Sequence, residues 1–280
     1  MEVDELKINI DEMTDIINEE ARLQIMKEIA DENLAYVNRH SQPVRYKASF
    51  YTKYVKRLFD IVLSSVALVV SLPINLLLGI CTYLDVGRPI FFCQKRIGKD
   101  GTTFEMIKFR NMKNTRNKHG ELLPAKQRVT KFGRFVRKTS LDELLNFWSI
   151  FKGEMSIIGP RPLPLLYEPF FSDRHRQRNL VRPGLECPFL RPLDHKPTWT
   201  EQLENDIYYV ENVSFALDMR LAWALVKAVI DRRSAAIRGS AFRGSFMGYN
   251  KDAASINSQR VPAHFVERVL GDELLVKEVS

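Results

Sequence analysis

Two adjacent carboxylates at the start of an apolar helical pattern are the residues of this chain best suited to chemistry. Asp142 and Glu143 stand near the beginning of a helix predicted over residues 139–151, where apolar side chains recur at helical spacing. The first turn of a helix has free backbone N–H groups and the positive end of the helix dipole, so it favours anions. Two interpretations of the pair follow.

In the first interpretation the pair only caps the helix. Ser140 and Glu143 then form a capping box, and Asp142 complements the dipole. In the second, Asp142 stays ionised and attacks a phosphoryl group held at the same place. The basic neighbours Arg134, Arg137 and Lys138 favour the second interpretation, because they can neutralise phosphate oxygens. Without them, carboxylate and phosphate would repel and need a divalent cation between them.

Two further arginines lie in turns that proline stiffens. Arg161 stands in the sequence GPRP and Arg182 in RPG, so each guanidinium loses less entropy on binding phosphate. Taken alone, either residue is more often an ordinary surface arginine. Residues 94–101 contain two glycines among basic residues but match neither a P-loop nor a dinucleotide motif, so the familiar mode of ATP binding is not predicted.

A long apolar stretch indicates whether these residues work in water or at a membrane. Residues 58–83 form 26 positions with Asp60 as the only charged side chain. Their Leu, Ile, Val and Phe residues sum to about −6 kcal/mol on an insertion scale, which outweighs one aspartate near the edge. As a straight helix the stretch would reach about 39 Å, enough to cross a hydrocarbon core of about 30 Å. The segment is therefore expected to enter a bilayer.

Pro73 divides this stretch into arms of 15 and 11 residues. A sharp bend there would leave both arms too short to cross, which predicts a V-shaped re-entrant helix. Basic residues flank both ends, and the positive-inside tendency would keep both ends in the cytoplasm. A single-pass helix with a tolerated proline and a buried helix of a soluble core remain as alternatives.

The charge of the chain is divided unevenly. Residues 1–50 carry a net charge of −5, although the whole chain carries +8, so the remaining body is strongly basic. A basic body predicts anionic partners, among which an anionic phospholipid membrane and a nucleotide are favoured over nucleic acid. The three cysteines and five histidines are scattered, without the spacing of a metal site or a disulfide framework. The first residues lack the pattern of a cleaved signal peptide, so secretion is not expected.

The chain reads as four segments. Residues 1–50 are an acidic helical extension, 51–88 a basic collar and the membrane helix, 89–233 the domain that carries the candidate reactive residues, and 234–280 a C-terminal extension with a short helix near 262–270. A β-hairpin is predicted to turn at 99–101, and residues 206–231 form a last amphipathic helical region suited to a core or to the membrane interface.

Seven motifs in order resemble one known family. They are KRLFD at 56–60, the membrane helix with Ser71 and Pro73, QKRIG at 94–98, FEMIKFRNM at 104–112, GRFVRKTSLDELLNFWSIFKGEMSIIGPRPL at 133–163, VRPG at 181–184 and DIYYVENVSFALDM at 206–219. Together they resemble the bacterial monotopic phosphoglycosyl transferases, which begin lipid-linked glycan assembly. The resemblance covers about residues 53–233 and leaves both ends uncovered.

The resemblance implies an α+β, mainly helical fold with a re-entrant membrane helix broken at Ser71 and Pro73, interfacial amphipathic helices and a small β-hairpin. It also implies that residues 89–233 are a catalytic domain at the cytoplasmic face of the bacterial inner membrane. The implied reaction moves a phosphosugar from a UDP-sugar to a polyprenol phosphate, such as undecaprenyl phosphate, and releases UMP.

The same resemblance assigns roles to residues. Asp142 would form a covalent phosphosugar intermediate with help from Glu143, and Mg²⁺ would bind near Asp142. Further positions match motif residues expected to bind phosphate or substrate, namely Lys108, Arg110, Arg137, Arg161, Arg182 and Asp206. A covalent intermediate fits the charge argument, since donor and acceptor can then use one site in turn.

One segment departs from the family pattern. After RPG the family typically continues with a glycine-containing stretch, whereas this chain has LECPFLRPLDH at 185–195. Altered donor specificity is the favoured interpretation because the Asp142–Glu143 pair is intact. A catalytically silent membrane scaffold of a glycan assembly complex is the alternative, and a homo-oligomer or downstream glycosyltransferases are possible partners.

Overall fold

The computed structural model describes residues 6–13, 16–116, 122–123, 125–191, 193–230 and 244–271. The fold is α+β and mainly helical, with small two-stranded sheets and one long apolar helix, as the sequence predicted. The re-entrant course of that helix stays a prediction.

The described helices are α1 (Glu19–His40), α2 (Lys56–Val86), α3 (Ala125–Arg128), α4 (Lys131–Thr139), α5 (Asn146–Lys152), α6 (Asp173–Arg176), α7 (Trp199–Asn212), α8 (Phe215–Ile230) and α9 (Ala263–Leu270). The described strands are β1 (Lys7–Ile8), β2 (Phe91–Ile97), β3 (Thr103–Phe109), β4 (Ser156–Ile158), β5 (Gly184–Glu186), β6 (Phe246–Tyr249), β7 (Ser255–Asn257) and β8 (Val261–Pro262).

The apolar stretch forms the middle of α2, which follows a π-helical turn at Tyr51–Val55. Pro73 lies inside the helix, where it cannot donate a backbone hydrogen bond. Beside it, the Asn75 Nδ2 donates to Ser71 Oγ at 3.1 Å. By length and composition the helix could cross a membrane. Most of its apolar side chains are exposed, so the rest of the protein covers little of it.

The N-terminal end of α2 is fastened by its charged residues to the domain at 89–233. Asp60 is 3% exposed, and its Oδ1 accepts hydrogen bonds from Ser156 Oγ at 2.9 Å and from the Ile157 N–H at 3.0 Å. Lys56 pairs with Asp218 of α8 at 2.7 Å. The one aspartate of the apolar stretch is therefore a contact to protein and need not face lipid.

The C-terminal end of α2 is fastened to the same domain. Leu78 is buried against Phe109 of β3 and Val136 of α4. Arg110 is also buried, and its guanidinium donates to the carbonyls of Val86, the last residue of α2, and of Gly87 and Arg88, which follow it. Both ends of the apolar helix thus contact the same domain.

The predicted hairpin is present. β2 and β3 pair antiparallel from Phe91↔Phe109 to Ile97↔Thr103, and the turn at Lys99–Gly101 lies where the sequence placed it. Asp100 and Gly101 in this turn both have positive φ.

The two proline-stiffened turns are neighbours. β4 and β5 form a parallel pair, with Ser156 opposite Gly184 and Ile158 opposite Glu186. Their backbones come so close at Gly159 and Gly184 that a Cβ on Gly184 would lie 2.2 Å from the Gly159 nitrogen. Only glycine permits this approach, so the GPRP and RPG turns are held side by side.

Two helices replace the single helical region predicted at 206–231. α7 begins earlier, at Trp199, because Thr198 and Glu201 form a capping box there. The chain leaves the helix at Val213 and resumes in α8. On α8, exposed Phe215, Met219 and Trp223 recur every four residues, which leaves an apolar stripe open on one face.

The described parts of the two terminal extensions fold together into one unit, here called the terminal lobe (residues 6–40 and 244–271). β1 pairs with β8, β6 pairs with β7, and α1 packs against β6 and α9. The helix predicted near 262–270 is confirmed as α9. Separate extensions were expected from the sequence, whereas the lobe has one core that includes Ile25, Ile29, Phe246 and Phe265.

Candidate active site

The segment that carries the two carboxylates is built differently from the predicted helix at 139–151. α4 ends at Thr139, since Ser140 adopts a left-handed conformation with φ 55°. A 3₁₀ turn follows at Leu141–Glu143, and α5 begins only at Asn146. The prediction of one continuous helix is therefore wrong, and Asp142 and Glu143 lie on the turn between two helices.

The capping-box interpretation is also wrong. The Ser140 side chain forms no capping hydrogen bond, and the Glu143 carboxylate turns away from it. Lys108 Nζ of β3 donates to Glu143 Oε1 at 2.9 Å, and Arg161 donates to both carboxylate oxygens of Glu143. A hairpin lysine and a turn arginine thus converge on Glu143, although far apart in sequence.

Asp142 lies beside this cluster without joining it. It is 7% exposed, and among the described residues no other side chain forms a hydrogen bond or ion pair with its carboxylate. Burial raises the pKa of Asp142, the Glu143 charge adds to the rise, and Lys108 and Arg137 oppose it. The result is a carboxylate that is close to cations yet unpaired.

Glu143 has the opposite electrostatic setting. Burial opposes its ionisation, but the charges and hydrogen bonds of Arg161 and Lys108 prevail and lower the pKa of Glu143 to about 2. For Arg161, burial disfavours the charged form, but the carboxylates of Glu143 and Glu186 prevail and raise its pKa. Glu143 therefore stays ionised and paired at neutral pH.

Arg137 and Arg161 approach the carboxylates from two elements. Arg137 is exposed in the last turn of α4 and interacts electrostatically with Asp142. Arg161 follows β4, and its Nη1 also donates to the Leu185 carbonyl at 2.9 Å. With Lys108, these are the expected phosphate-binding residues that the structure brings to the Asp142–Glu143 pair.

Three other expected residues have different partners. Arg110 binds the carbonyls at the end of α2, as described above. Arg182 Nε donates at 3.0 Å to the carbonyl of Gly153, the residue that ends α5. Asp206 is fully buried in an ion pair with Arg178 at 2.6 Å. Each of these side chains therefore contacts other protein groups, and among the described residues none forms a hydrogen bond with the Asp142 or Glu143 carboxylate.

Two residues of the site had no role assigned from sequence. Arg96 of β2 lies near Arg161, and its Nε is buried without a hydrogen-bond partner. Burial and the neighbouring Arg161 charge lower the pKa of Arg96 to about 10. Glu186 lies 3.5 Å from Arg161. Arg96 belongs to the QKRIG motif and Glu186 to the divergent segment at 185–195. The sequence singled out both stretches but gave no reason to assign a role to either residue.

The residues at the site fit Mg²⁺ only in part. No group of three His, Cys, Asp or Glu side chains that could hold a metal is found in the described part of the chain. Mg²⁺, however, is commonly bound by one or two carboxylates together with substrate phosphates and water. The unpaired Asp142 carboxylate suits that arrangement, whereas Glu143 is already occupied by Lys108 and Arg161.

An apolar groove of about 990 Å³ adjoins the site. One wall is the C-terminal part of α2, and the opposite side comprises the segment after α2, Phe109 and Leu145. Phe109 and Leu145 belong to one apolar cluster with Leu141 and Leu144, which flank the two carboxylates in sequence. The groove is lined by Asn75, Leu76, Gly79, Ile80, Tyr83, Arg88, Pro89, Ile90, Phe91, Phe109 and Leu145.

Comparison with known proteins finds relatives that are named as sugar transferases or sugar-phosphate transferases. The uncharacterized sugar transferase EpsL of Bacillus subtilis is 36% identical over 176 residues, which cover 63% of this chain and 87% of EpsL. The UDP-N-acetylgalactosamine-undecaprenyl-phosphate N-acetylgalactosaminephosphotransferase of Aeromonas hydrophila is 30% identical over 190 residues. The UDP-glucose:undecaprenyl-phosphate glucose-1-phosphate transferase of Xanthomonas campestris is 30% identical over 203 residues.

The shared region is the domain that carries the site. It covers only 44% of the Aeromonas protein and 40% of the Xanthomonas protein, so this chain spans less than half the length of these two relatives. The family model for bacterial sugar transferases matches residues 51–232, which include α2, the hairpin, the two carboxylates and both proline-stiffened turns. The chain therefore belongs to the bacterial sugar transferase family.

Proposed function

We propose that this transferase moves a phosphosugar from a UDP-sugar to a polyprenol phosphate through a covalent intermediate on Asp142. The observation that carries the proposal is the asymmetry of the two carboxylates. Glu143 is paired with Lys108 and Arg161, while the Asp142 carboxylate next to it has no side-chain partner among the described residues. A carboxylate nucleophile must be ionised and free to approach phosphorus.

The first half-reaction takes place on the donor. An Asp142 carboxylate oxygen attacks the β-phosphorus of the UDP-sugar and forms a new O–P bond. The bond from that phosphorus to the oxygen bridging the α-phosphate breaks, and UMP leaves with the electron pair on this oxygen. In the second half-reaction a phosphate oxygen of the polyprenol phosphate attacks the same phosphorus, and the Asp142 carboxylate leaves. The product is a polyprenyl diphosphosugar.

Lys108, Arg137 and Arg161 supply positive charge around the reacting phosphorus. Such preorganised cations stabilise charge that develops on equatorial oxygens and the leaving oxygen. Arg137 is the most available of the three because it is exposed and forms no ion pair with a carboxylate of the described residues. Mg²⁺, with Asp142 as its one protein ligand here, would supply further charge neutralisation for the phosphates when bound.

The apolar groove is the proposed place of the polyprenol chain. Its walls are apolar, and Leu76 and Ile80 on α2 are 62% and 59% exposed, so the groove is accessible from the lipid side of α2. Phe109 and Leu145 of its lining pack with Leu141 and Leu144, which flank Asp142 and Glu143 in sequence. An isoprenoid chain lying there would hold its phosphate near the carboxylates after UMP has left.

The contacts of α2 support a re-entrant course with the catalytic domain on the cytoplasmic face of the inner membrane. Asp60 and Leu78 contact the same domain, although a straight helix would separate them by about 27 Å. A helix that crossed the hydrocarbon core would carry one of these contacts to the opposite side. The exposed apolar stripe of α8 with Phe215 and Trp223 suits a helix lying at the interface.

Replacing the nucleophile should abolish turnover. Asp142→Asn keeps the shape of the side chain but removes its charge, so UMP release from a UDP-sugar with undecaprenyl phosphate and Mg²⁺ should fall at least about 10³-fold. The assay is a coupled measurement of UMP across a panel of UDP-sugars. Asp100→Asn, in the exposed hairpin turn, is the matched control and should retain activity. Full activity of Asp142→Asn would remove Asp142 as the nucleophile.

The two carboxylates should affect stability with opposite signs. The pKa of Asp142 is raised in the fold, so its ionised form costs stability at neutral pH and Asp142→Asn should raise the unfolding temperature. The pKa of Glu143 is lowered to about 2, so its contribution is present above its unfolded value and is lost as pH falls toward 2.

Glu143→Gln should therefore destabilise the protein at pH 7, by about 1–3 kcal/mol after allowance for partial exposure. Thermal unfolding of the detergent-solubilised proteins measures both effects. Shifts of the same sign for the two substitutions at pH 7 would contradict the electrostatic setting described above.

The course of α2 can be tested by labelling in cells. In a variant without native cysteines, single cysteines replace exposed Lys53 before α2 and exposed Asp100 after it. A re-entrant helix predicts that an impermeant maleimide labels both positions only after permeabilisation of the inner membrane. Labelling of one position in intact spheroplasts would show that α2 crosses the membrane.

A further inference from the structure

The terminal lobe lies outside the family match at 51–232, yet it packs closely on the domain that carries the site. Its core is shared with Phe170, Phe171 and Trp199 of the catalytic domain. Trp199 Nε1 donates to the Gly244 carbonyl at 3.1 Å, and Thr200 Oγ1 accepts from the Ser255 N–H at 2.7 Å. The lobe is thus a built-in part of this chain's catalytic body.

Tyr249 is the polar contact at the centre of this interface. It is 2% exposed at the end of β6, and its backbone carbonyl accepts from Asn33 Nδ2 of α1 at 2.9 Å. Its hydroxyl lies 2.8 Å from His175 Nδ1 and accepts from the Ser172 N–H at 3.3 Å. Ser172 and His175 are the N-cap and the third residue of α6. One hydroxyl of the lobe therefore contacts both the N-cap and the third residue of this short helix.

α6 is held on its other side by α7. His175 Nε2 lies 2.8 Å from Glu204 Oε1, and Arg174 forms a two-pronged pair with the Glu204 carboxylate at 2.9 and 2.7 Å. Tyr249 and Glu204 thus occupy the two ring nitrogens of a histidine that is only 4% exposed. The position of α6 is determined jointly by the lobe and by α7.

The turn that follows α6 reaches the active site. Arg178, three residues after His175, is 2% exposed and pairs with buried Asp206. Its Nη2 also donates to the Arg161 backbone carbonyl at 2.7 Å. Arg161 in turn binds the Glu143 carboxylate. A shift of α6 would therefore move Arg178 and with it the turn that presents Arg161.

From this series of contacts we infer that Tyr249 is a positioning residue for Arg161. The lobe fixes α6 through the Tyr249 hydroxyl, α6 fixes Arg178, and Arg178 holds the GPRP turn against the Asp142–Glu143 pair. In a series of packed elements joined by buried polar contacts, a change in the position of one element alters the position of the next. The positioning of Arg161 by Tyr249 is argued from these contacts alone, whereas its effect on turnover rests on the proposed function.

The test compares Tyr249→Phe with Tyr36→Phe in the full chain. Both substitutions remove one hydroxyl from the lobe, but Tyr36 is 44% exposed on α1. Hydrogen–deuterium exchange is followed in the peptide at 159–168, with β3 (Thr103–Phe109) as the internal reference. Loss of one buried hydrogen-bonding group should speed exchange in 159–168 about five-fold in Tyr249→Phe and leave β3 at the wild-type rate. Tyr36→Phe should leave both peptides at the wild-type rate.

Unchanged exchange in 159–168, or an equal rise there and in β3, would overturn the inference, because the first shows no coupling and the second shows general destabilisation. In UMP-release assays Tyr249→Phe should lower kcat about five-fold with the donor KM within about two-fold of wild type. Faster exchange at 159–168 with unchanged kcat would overturn the catalytic role of the positioning. A wild-type protein without UMP release would contradict the proposed function and leave the exchange result standing.

Discussion

Two adjacent carboxylates in a buried site compete for hydrogen-bonded pairing with the same cations, and the proposed chemistry depends on which of the two is paired. Glu143 takes Lys108 and Arg161, which leaves Asp142 buried, close to positive charge and unpaired. Asp142 alone would be an unpaired buried charge with a cost to stability, and Glu143 alone would be a structural ion pair. In the proposed mechanism this arrangement leaves the Asp142 carboxylate unpaired, so that it can approach a phosphoryl group with the cations close by.

Each cation reaches the pair through a different feature of the fold. The hairpin register places Lys108 on β3, and the parallel pairing of β4 with β5 places Arg161 at the end of β4. The close approach of Gly159 and Gly184 and the buried Arg178–Asp206 pair fix the Arg161 turn from behind. The attachment of α2 through Asp60 and Leu78 then sets this cluster beside the apolar groove. The site is therefore assembled by contacts between distant segments and is not contained in any one motif.

Much of this could be predicted from the sequence because the signals were local. The apolar stretch of α2, the hairpin turn at 99–101 and the helix near 262–270 each depend on a pattern within one segment. The helix predicted at 139–151 failed because the left-handed backbone of Ser140 is not visible in a pattern that otherwise fits a capping box. The structural partners of Arg110, Arg182 and Asp206 could not be predicted either, since each lies on another element. The terminal lobe was missed for the same reason, because β1 and β8 pair across some 250 residues.

The most direct test of the account is to trap the first half-reaction. The full-length protein is mixed with a UDP-sugar labelled at the β-phosphorus, without polyprenol phosphate, quenched within one turnover and digested for mass spectrometry. We expect one labelled phosphosugar group per active protein, on the peptide containing Asp142, and its loss when polyprenol phosphate is added before the quench. A protein that turns over with acceptor present but never carries the label, or carries it on another residue, would contradict the central role given to Asp142.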